Sequence, residues 1–217
     1  MTAELLPICE SIRAALVVKT AARDRAIAGS RELIRQCSEA IRAIHRRDWQ
    51  DADAKLRAAR DAADHLTAGI AAFPDLLDSG YTQDALKEVV EAFATAAIIR
   101  RDPLPTPESL GVGVSTYLNG LAEAATELRR FILDILRRED GDSQEAERLL
   151  DWMDAIYDQL VTFDFPDAVT GDLRRRTDVV RGVLERTRGD LTTTLRQQRL
   201  QAALEAFERR VTGLRED

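Results

Sequence analysis

Apolar residues recur at three- and four-residue intervals along most of this chain, the period of helices that bury one face. From about Leu5 to Arg47 the positions Ile27, Leu33, Ile34, Cys37, Ile41 and Ile44 keep that spacing. They predict one very long helix, or two in line with a break at Gly29. Asp48 or Asp51 can cap a second helix carrying Leu56, Ala59, Ala63, Leu66 and Ile70, which should stop near Pro74. After a turn at Ser79-Gly80, a third helix is predicted from Tyr81 to about Arg100, with Leu86, Val90, Phe93 and Ala97 as its core stripe. Asp84, Glu88, Glu91 and Thr95 stand opposite that stripe, yet Ile98 and Ile99 are apolar on the same side. The acidic face is therefore not expected to turn simply to bulk solvent.

Prolines at 103, 105 and 107 and two glycines interrupt the pattern between Asp102 and Gly113. The periodicity has the same character on both sides, so this is a loop and not a domain boundary. A fourth helix follows from about Ser115 to Arg138, burying Tyr117, Leu121, Leu128, Ile132 and Ile135, with Glu123 and Glu127 flanking the stripe. Beyond a turn at Gly141-Asp142-Ser143, Leu149, Leu150, Met153, Ile156, Tyr157 and Leu160 predict another helix, ended before Pro166. The last helix starts near Asp172 and runs past Phe207; Gly182 and Gly189 each lower its propensity by about 1 kcal/mol, so close packing or a bend is expected there. There is no convincing repeat. Residues 1–217 read as a single all-α domain.

Composition fits that picture. Of 217 residues 45% are hydrophobic and 32% charged, with few Gly and Pro, a mixture that favours long amphipathic helices over sandwiches or barrels. Acidic residues outnumber basic ones by 38 to 31, giving a net charge of −7, so any polyanion site must be a local patch. Only Lys19, Lys55 and Lys87 are lysines, and the abundant arginine suits phosphate or carboxylate recognition or reflects the composition of the source. Cys9 and Cys37 have no metal spacing and are too few for a disulfide framework. Charges at Glu4, Glu10, Arg13, Lys19 and Arg23 break any signal-peptide core, and no long apolar run appears. A soluble cytoplasmic protein without a membrane partner is expected. Gly-rich phosphate loops, nucleophile elbows and Cys/His metal signatures are absent, which sets those enzyme classes aside.

Chemistry is concentrated in two acidic pairs. Glu88 with Glu91, and Glu123 with Glu127, each share one face of a helix, where like charges cost a few tenths of a kcal/mol unless a cation sits between them. A divalent metal would be such a cation. The plainer reading is a pair of solvated helix faces, with Glu127 paired to Arg130 three residues on. Basic groups cluster at Arg42, His45, Arg46 and Arg47, at Arg100-Arg101, at Arg129-Arg130 and at Arg174-Arg175-Arg176. Each could bind phosphate without reading sequence, or form a salt-bridged face.

Several stretches together resemble the translin family, and more closely its nuclease branch, the translin-associated factor X proteins. They are Ser30-Arg31-Glu32 with His45-Arg46, Lys87-Glu88-Val89-Val90-Glu91-Ala92, Tyr117-Leu118-Asn119-Gly120-Leu121-Ala122-Glu123 and Glu127-Leu128-Arg129-Arg130. Tyr157, Pro166, Leu173-Arg174-Arg175 with Asp178, and Arg181 with Glu185 extend the likeness over nearly the whole chain. The resemblance implies an all-α subunit of about seven helices, assembled into a hollow shell, a homo-octamer or similar closed homo-oligomer, around single-stranded or nicked RNA. It also implies a metal-dependent endoribonuclease whose four carboxylates fall on Glu88, Glu91, Glu123 and Glu127, all assigned as ligands of Mg2+, with Mn2+ able to replace it, or as positioners of the attacking water. Arg31, Arg42, His45 and Arg46 are the expected RNA contacts, with single-stranded DNA as a further ligand. Two departures stand out: Glu123 occupies a position where the nuclease branch more usually has Asp, and Thr126 one where the family commonly has Gly. The alternatives are a non-catalytic oligomer binding single-stranded RNA or DNA, and a purely structural helical oligomer.

Overall fold

The computed structural model describes residues 4–138 and 142–213, and they form helices and connecting loops with no strand among them. Six helices are long: α1 (Leu5–His45), α2 (Trp49–Gly69), α4 (Gly80–Arg100), α6 (Val114–Leu136), α7 (Ser143–Leu160) and α9 (Leu173–Gly213). Three four-residue helices, α3 (Pro74–Leu77), α5 (Pro107–Leu110) and α8 (Asp167–Thr170), lie in the connections. The all-α architecture is the one expected, and the three short helices arise where Pro74, Pro107 and Pro166 each start a turn of helix inside a connection. Gly141 of the predicted turn lies outside the described residues.

Local rules account for the long elements. Asp48 caps α2 by accepting from the Asp51 amide at 3.2 Å, and Asp142 caps α7 through the amides of Gln144 and Glu145. α1 passes Gly29 without a break, and a Cβ there would make ordinary contact with Leu66 of α2. α9 likewise runs unbroken through Gly182 and Gly189.

α4 is the centre of the molecule. It packs on α1, α2 and α6 and touches α3 and α7. Its buried set includes Val89, Ala92, Thr95, Ala96 and Ile98 as well as the expected Leu86, Val90 and Ala97, so it is covered on nearly all sides. α6 lies between α4 on one side and α7 and α9 on the other. Its Leu128 and Ile132 are fully buried, worth roughly 1.5–3 kcal/mol each, while Tyr117 and Leu121 are only half-buried.

One contact sets the spacing of that central pair. A Cβ on Gly120 would lie 2.5 Å from the Val90 Cβ and 2.7 Å from the Lys87 carbonyl oxygen. Only glycine allows α6 to approach α4 so closely. Beside it, the Asn119 amide donates to the carbonyls of Ser115 and Thr170, which ties α6 to α8.

The outer ends of α1 and α9 are a different environment. Leu5, Leu6, Ile8, Ile12, Leu16, Val17 and Val18 on α1, and Leu200, Leu204 and Phe207 on α9, are each more than half exposed. No helix among the described residues is long and apolar enough to cross a membrane.

Candidate metal centre

The close crossing at Gly120 puts the next turn of α6 opposite the acidic face of α4. Carboxylate oxygens of Glu88, Glu91 and Glu123 lie within 4.8 Å of one another. Two cations join them. Lys87 Nζ donates to Glu123 Oε1 at 2.8 Å and stands 3.8 Å from Glu88 and 3.9 Å from Asp84. Arg176, reaching in from α9, donates to the same Glu123 oxygen.

Electrostatics at the centre follow from crowding and partial burial. Burial, then the charges of Glu88, Glu123 and Glu127, push the Glu91 carboxyl up to about 8. Glu88 is also raised, first by burial and then by Glu123, with Lys87 acting in the opposite sense. The same field reaches α1, where Cys37 is held far above the usual thiol range mainly by burial and additionally by Glu88 and Glu91. Near neutral pH the metal-free cluster is thus kept from carrying its full negative charge.

Glu127 is placed differently from the other three acids. It lies near enough to raise Glu91, but its Oε1 accepts a hydrogen bond from His45 Nε2–H, not from Arg130. His45 stacks on Phe131 with ring centroids 3.9 Å apart. It therefore sits in the wall of the centre, while Arg31, Arg42 and Arg46 are exposed on α1 and its C-terminal end. Arg46 pairs with Asp51, and Arg31 and Arg42 have no ion pair among the described residues. Most other arginine clusters are engaged: Arg100 with Asp53 and the Trp49 ring, Arg101 with Glu145, Arg129 with Asp190 and Thr187.

Lys87 and Arg176 were read from the sequence only as part of a family stretch and of a basic cluster, and not as members of the acidic centre. Lys87 had a local signal, since it adjoins Glu88 in an acidic stretch. Arg176 had only its place in the basic run 174–176, which did not tell it apart from Arg174 and Arg175; these pair instead with Asp164 and Asp172. Both line a cavity of about 580 Å³ between α4, α6, α8 and the start of α9, with Ser115, Asn119 and Asp84 among its walls.

The donor set fits a hard divalent cation. All three converging groups are carboxylates, the oxygen ligands that Mg2+ and Mn2+ take. Glu123 Oε2 is buried with no hydrogen-bond partner, and Arg176 Nε is also buried and unpaired. A buried carboxylate oxygen without a donor is costly, and a cation between Glu123 and the α4 pair would satisfy it.

No family model matches the chain. An uncharacterized protein of Methanocaldococcus jannaschii is 32% identical to it over 195 residues, which cover 89% of this chain and 85% of that protein. Among solved structures, AfC3PO is similar at 32% identity with a TM-score of 0.78, covering 86% of this chain and 96% of its own. The complex of AfC3PO with duplex RNA matches at 33% identity and a TM-score of 0.74 over 86% of this chain and 95% of that one. Apo-NeC3PO shares the fold at 20% identity, with a TM-score of 0.78 over 87% and 97% of the two chains.

Proposed function

This chain belongs to the translin family, that of the C3PO proteins, and from that premise we propose that it is a metal-dependent endoribonuclease of the family's factor X branch. The observation that carries the proposal is the convergence of Glu88, Glu91 and Glu123 around a buried, unpartnered carboxylate oxygen. These three hold Mg2+ or Mn2+, and Glu127 completes the acidic set from the α6 side. When bound, the ion supplies Lewis-acid charge to the phosphodiester and water that ionises near neutral pH. Lys87 and Arg176, between the acids and the adjoining cavity, offer positive charge to the phosphate as negative charge builds on its oxygens.

RNA as the ligand is supported by the complex of AfC3PO with duplex RNA. Arg31, Arg42 and Arg46, exposed at and beyond the C-terminal half of α1, are the proposed backbone contacts, and they would bind without reading bases. The apolar ends of α1 and α9 supply surface for a closed homo-oligomer, proposed as an octamer. Within such a shell the catalytic face looks inward, so single-stranded or nicked RNA is the proposed substrate, selected by access and backbone shape.

One observation favours a second reading. Lys87 and Arg176 already neutralise Glu123, as a binding module without catalysis would require. Purified protein incubated with labelled single-stranded and duplex RNA, with and without Mg2+ or Mn2+, decides between them. Metal-dependent cleavage that the Glu123→Gln, Glu127→Gln double variant lacks, with RNA binding retained, is the expected result. RNA retained but uncut under every metal would leave the binding module.

A further inference from the structure

The imidazole of His45 is built into the molecule more firmly than an RNA contact needs. Its side chain is 5% exposed, and its ring lies flat on Phe131, the planes only 13° apart. Across 82 residues of sequence it donates from Nε2 to Glu127 Oε1. In a bond from imidazole to carboxylate the ring N–H is the donor and the carboxylate oxygen the acceptor. The other ring nitrogen, Nδ1, is buried and has no hydrogen-bond partner among the described residues. A cavity of about 20 Å³, lined by His45, Arg47, Phe131, Asp134 and Arg138 among others, adjoins the ring. It has room for a single water, whose donation to Nδ1 would hold the Nε2–H tautomer.

Glu127 is the acid that this bond governs. It is 22% exposed, and among the described residues its one hydrogen bond or ion pair is that with His45. Without His45 the side chain would be free to swing toward Arg130, three residues on along the surface of α6. We propose that His45 is a positioning residue: it fixes Glu127 Oε1 so that Oε2 is presented to the centre formed by Glu88, Glu91 and Glu123. This rests on the metal-centre reading above and gives His45 a task distinct from binding RNA. Ligand-orienting groups of this kind tune metal affinity and activity by about 10- to 100-fold.

The test pairs His45→Phe, which keeps the flat ring on Phe131 and removes the donor, with His45→Gln, which keeps an N–H donor. Mn2+ is titrated calorimetrically into RNA-free protein, and cleavage and binding of labelled RNA are measured separately. His45→Phe should weaken Mn2+ and lower kcat by about 10- to 100-fold each while RNA affinity stays within about twofold, and His45→Gln should recover most of both. In the metal-free wild type, long-range 1H–15N NMR should place the imidazole proton on Nε2, with its resonance moved by Glu127→Gln. Unchanged Mn2+ affinity and rate in His45→Phe, or a proton on Nδ1 alone, would overturn the inference while leaving the metal centre standing. Loss of RNA affinity alone would make His45 an RNA contact and overturn it equally. A wild type that neither binds Mn2+ nor cleaves RNA overturns the metal-centre reading, and the role of His45 with it. Should His45→Phe not fold, Mn2+ titration of His45→Gln beside Glu127→Gln decides: retention in the first and loss in the second supports positioning, and equal loss or none refutes it.

Discussion

The crossing of α4 and α6 and the projecting ends of α1 and α9 depart from the usual partition of residues in opposite senses. At the crossing, Glu88, Glu91 and Glu123 lie together in a largely enclosed site with Lys87 and Arg176 driven in among them. At the ends, leucines, isoleucines, valines and a phenylalanine stand in solvent on bare helix surface. Withdrawing charge from water is costly, and exposing a long apolar face is unfavourable too. Under the proposed function each region has a partner from outside the single chain: a cation at the crossing, further subunits at the ends. The crossing is also the more sharply constrained of the two, since Gly120 leaves no room there for even a methyl group.

Widening the crossing should do the most damage. Gly120→Val places side-chain atoms against Val90 and the Lys87 carbonyl and should cost about 3 kcal/mol or more by urea unfolding. It should also abolish Mn2+ binding, since Glu123 moves away from the α4 acids. An unchanged unfolding curve would mean that the close approach is not needed.

The charge of the crossing is tested by pH. Glu91 titrates near 8 in the folded chain against 4.5 unfolded, so between those values the native state holds a proton that the unfolded state has released. Stability from this group is full below about 4.5 and is lost as pH rises through 8, on the order of 5 kcal/mol in all. In EDTA, thermal unfolding should therefore occur at lower temperature at pH 8.5 than at pH 5.5, and Glu91→Gln should flatten the difference. Saturating Mn2+ should stabilise the protein most at the higher pH, where the ligands are ionised.

At the projecting ends, Ile12→Glu with Leu16→Glu should lower the mass seen by light scattering while leaving helical content by circular dichroism unchanged, because these side chains touch no core. An unaltered mass would remove this face from the assembly. The smallest effect is expected from Arg46→Glu, a surface position paired among the described residues only with Asp51. Folding stability should change by about 0.5 kcal/mol or less. RNA affinity should fall severalfold at low salt, with a shallower salt dependence. An RNA affinity indifferent to this change at all salt concentrations would take Arg46 out of the binding face.

Periodicity along the chain determined a good deal by itself. It set the six long helices and most of the buried stripes and narrowed the α2 cap to Asp48 or Asp51, because a helix of 3.6 residues per turn fixes which residues share a face. Its limit shows within α4, where Val89, Ala92 and Ala96 are as buried as the predicted stripe: a helix enclosed by neighbours has no single core face to read. The like-charge pairs Glu88 with Glu91 and Glu123 with Glu127 were legible for the same reason of spacing. Which face meets which is not written in local spacing, and tertiary structure alone decided it. Only the packed molecule brings Arg176 across 53 residues to Glu123, and His45 across 82 residues to Glu127. Only there does Gly120 become the residue that lets two acidic helix faces close into one centre. The physical reason is that steric contact and Coulomb forces act through space, between helices whose relative placement depends on how all their faces pack at once.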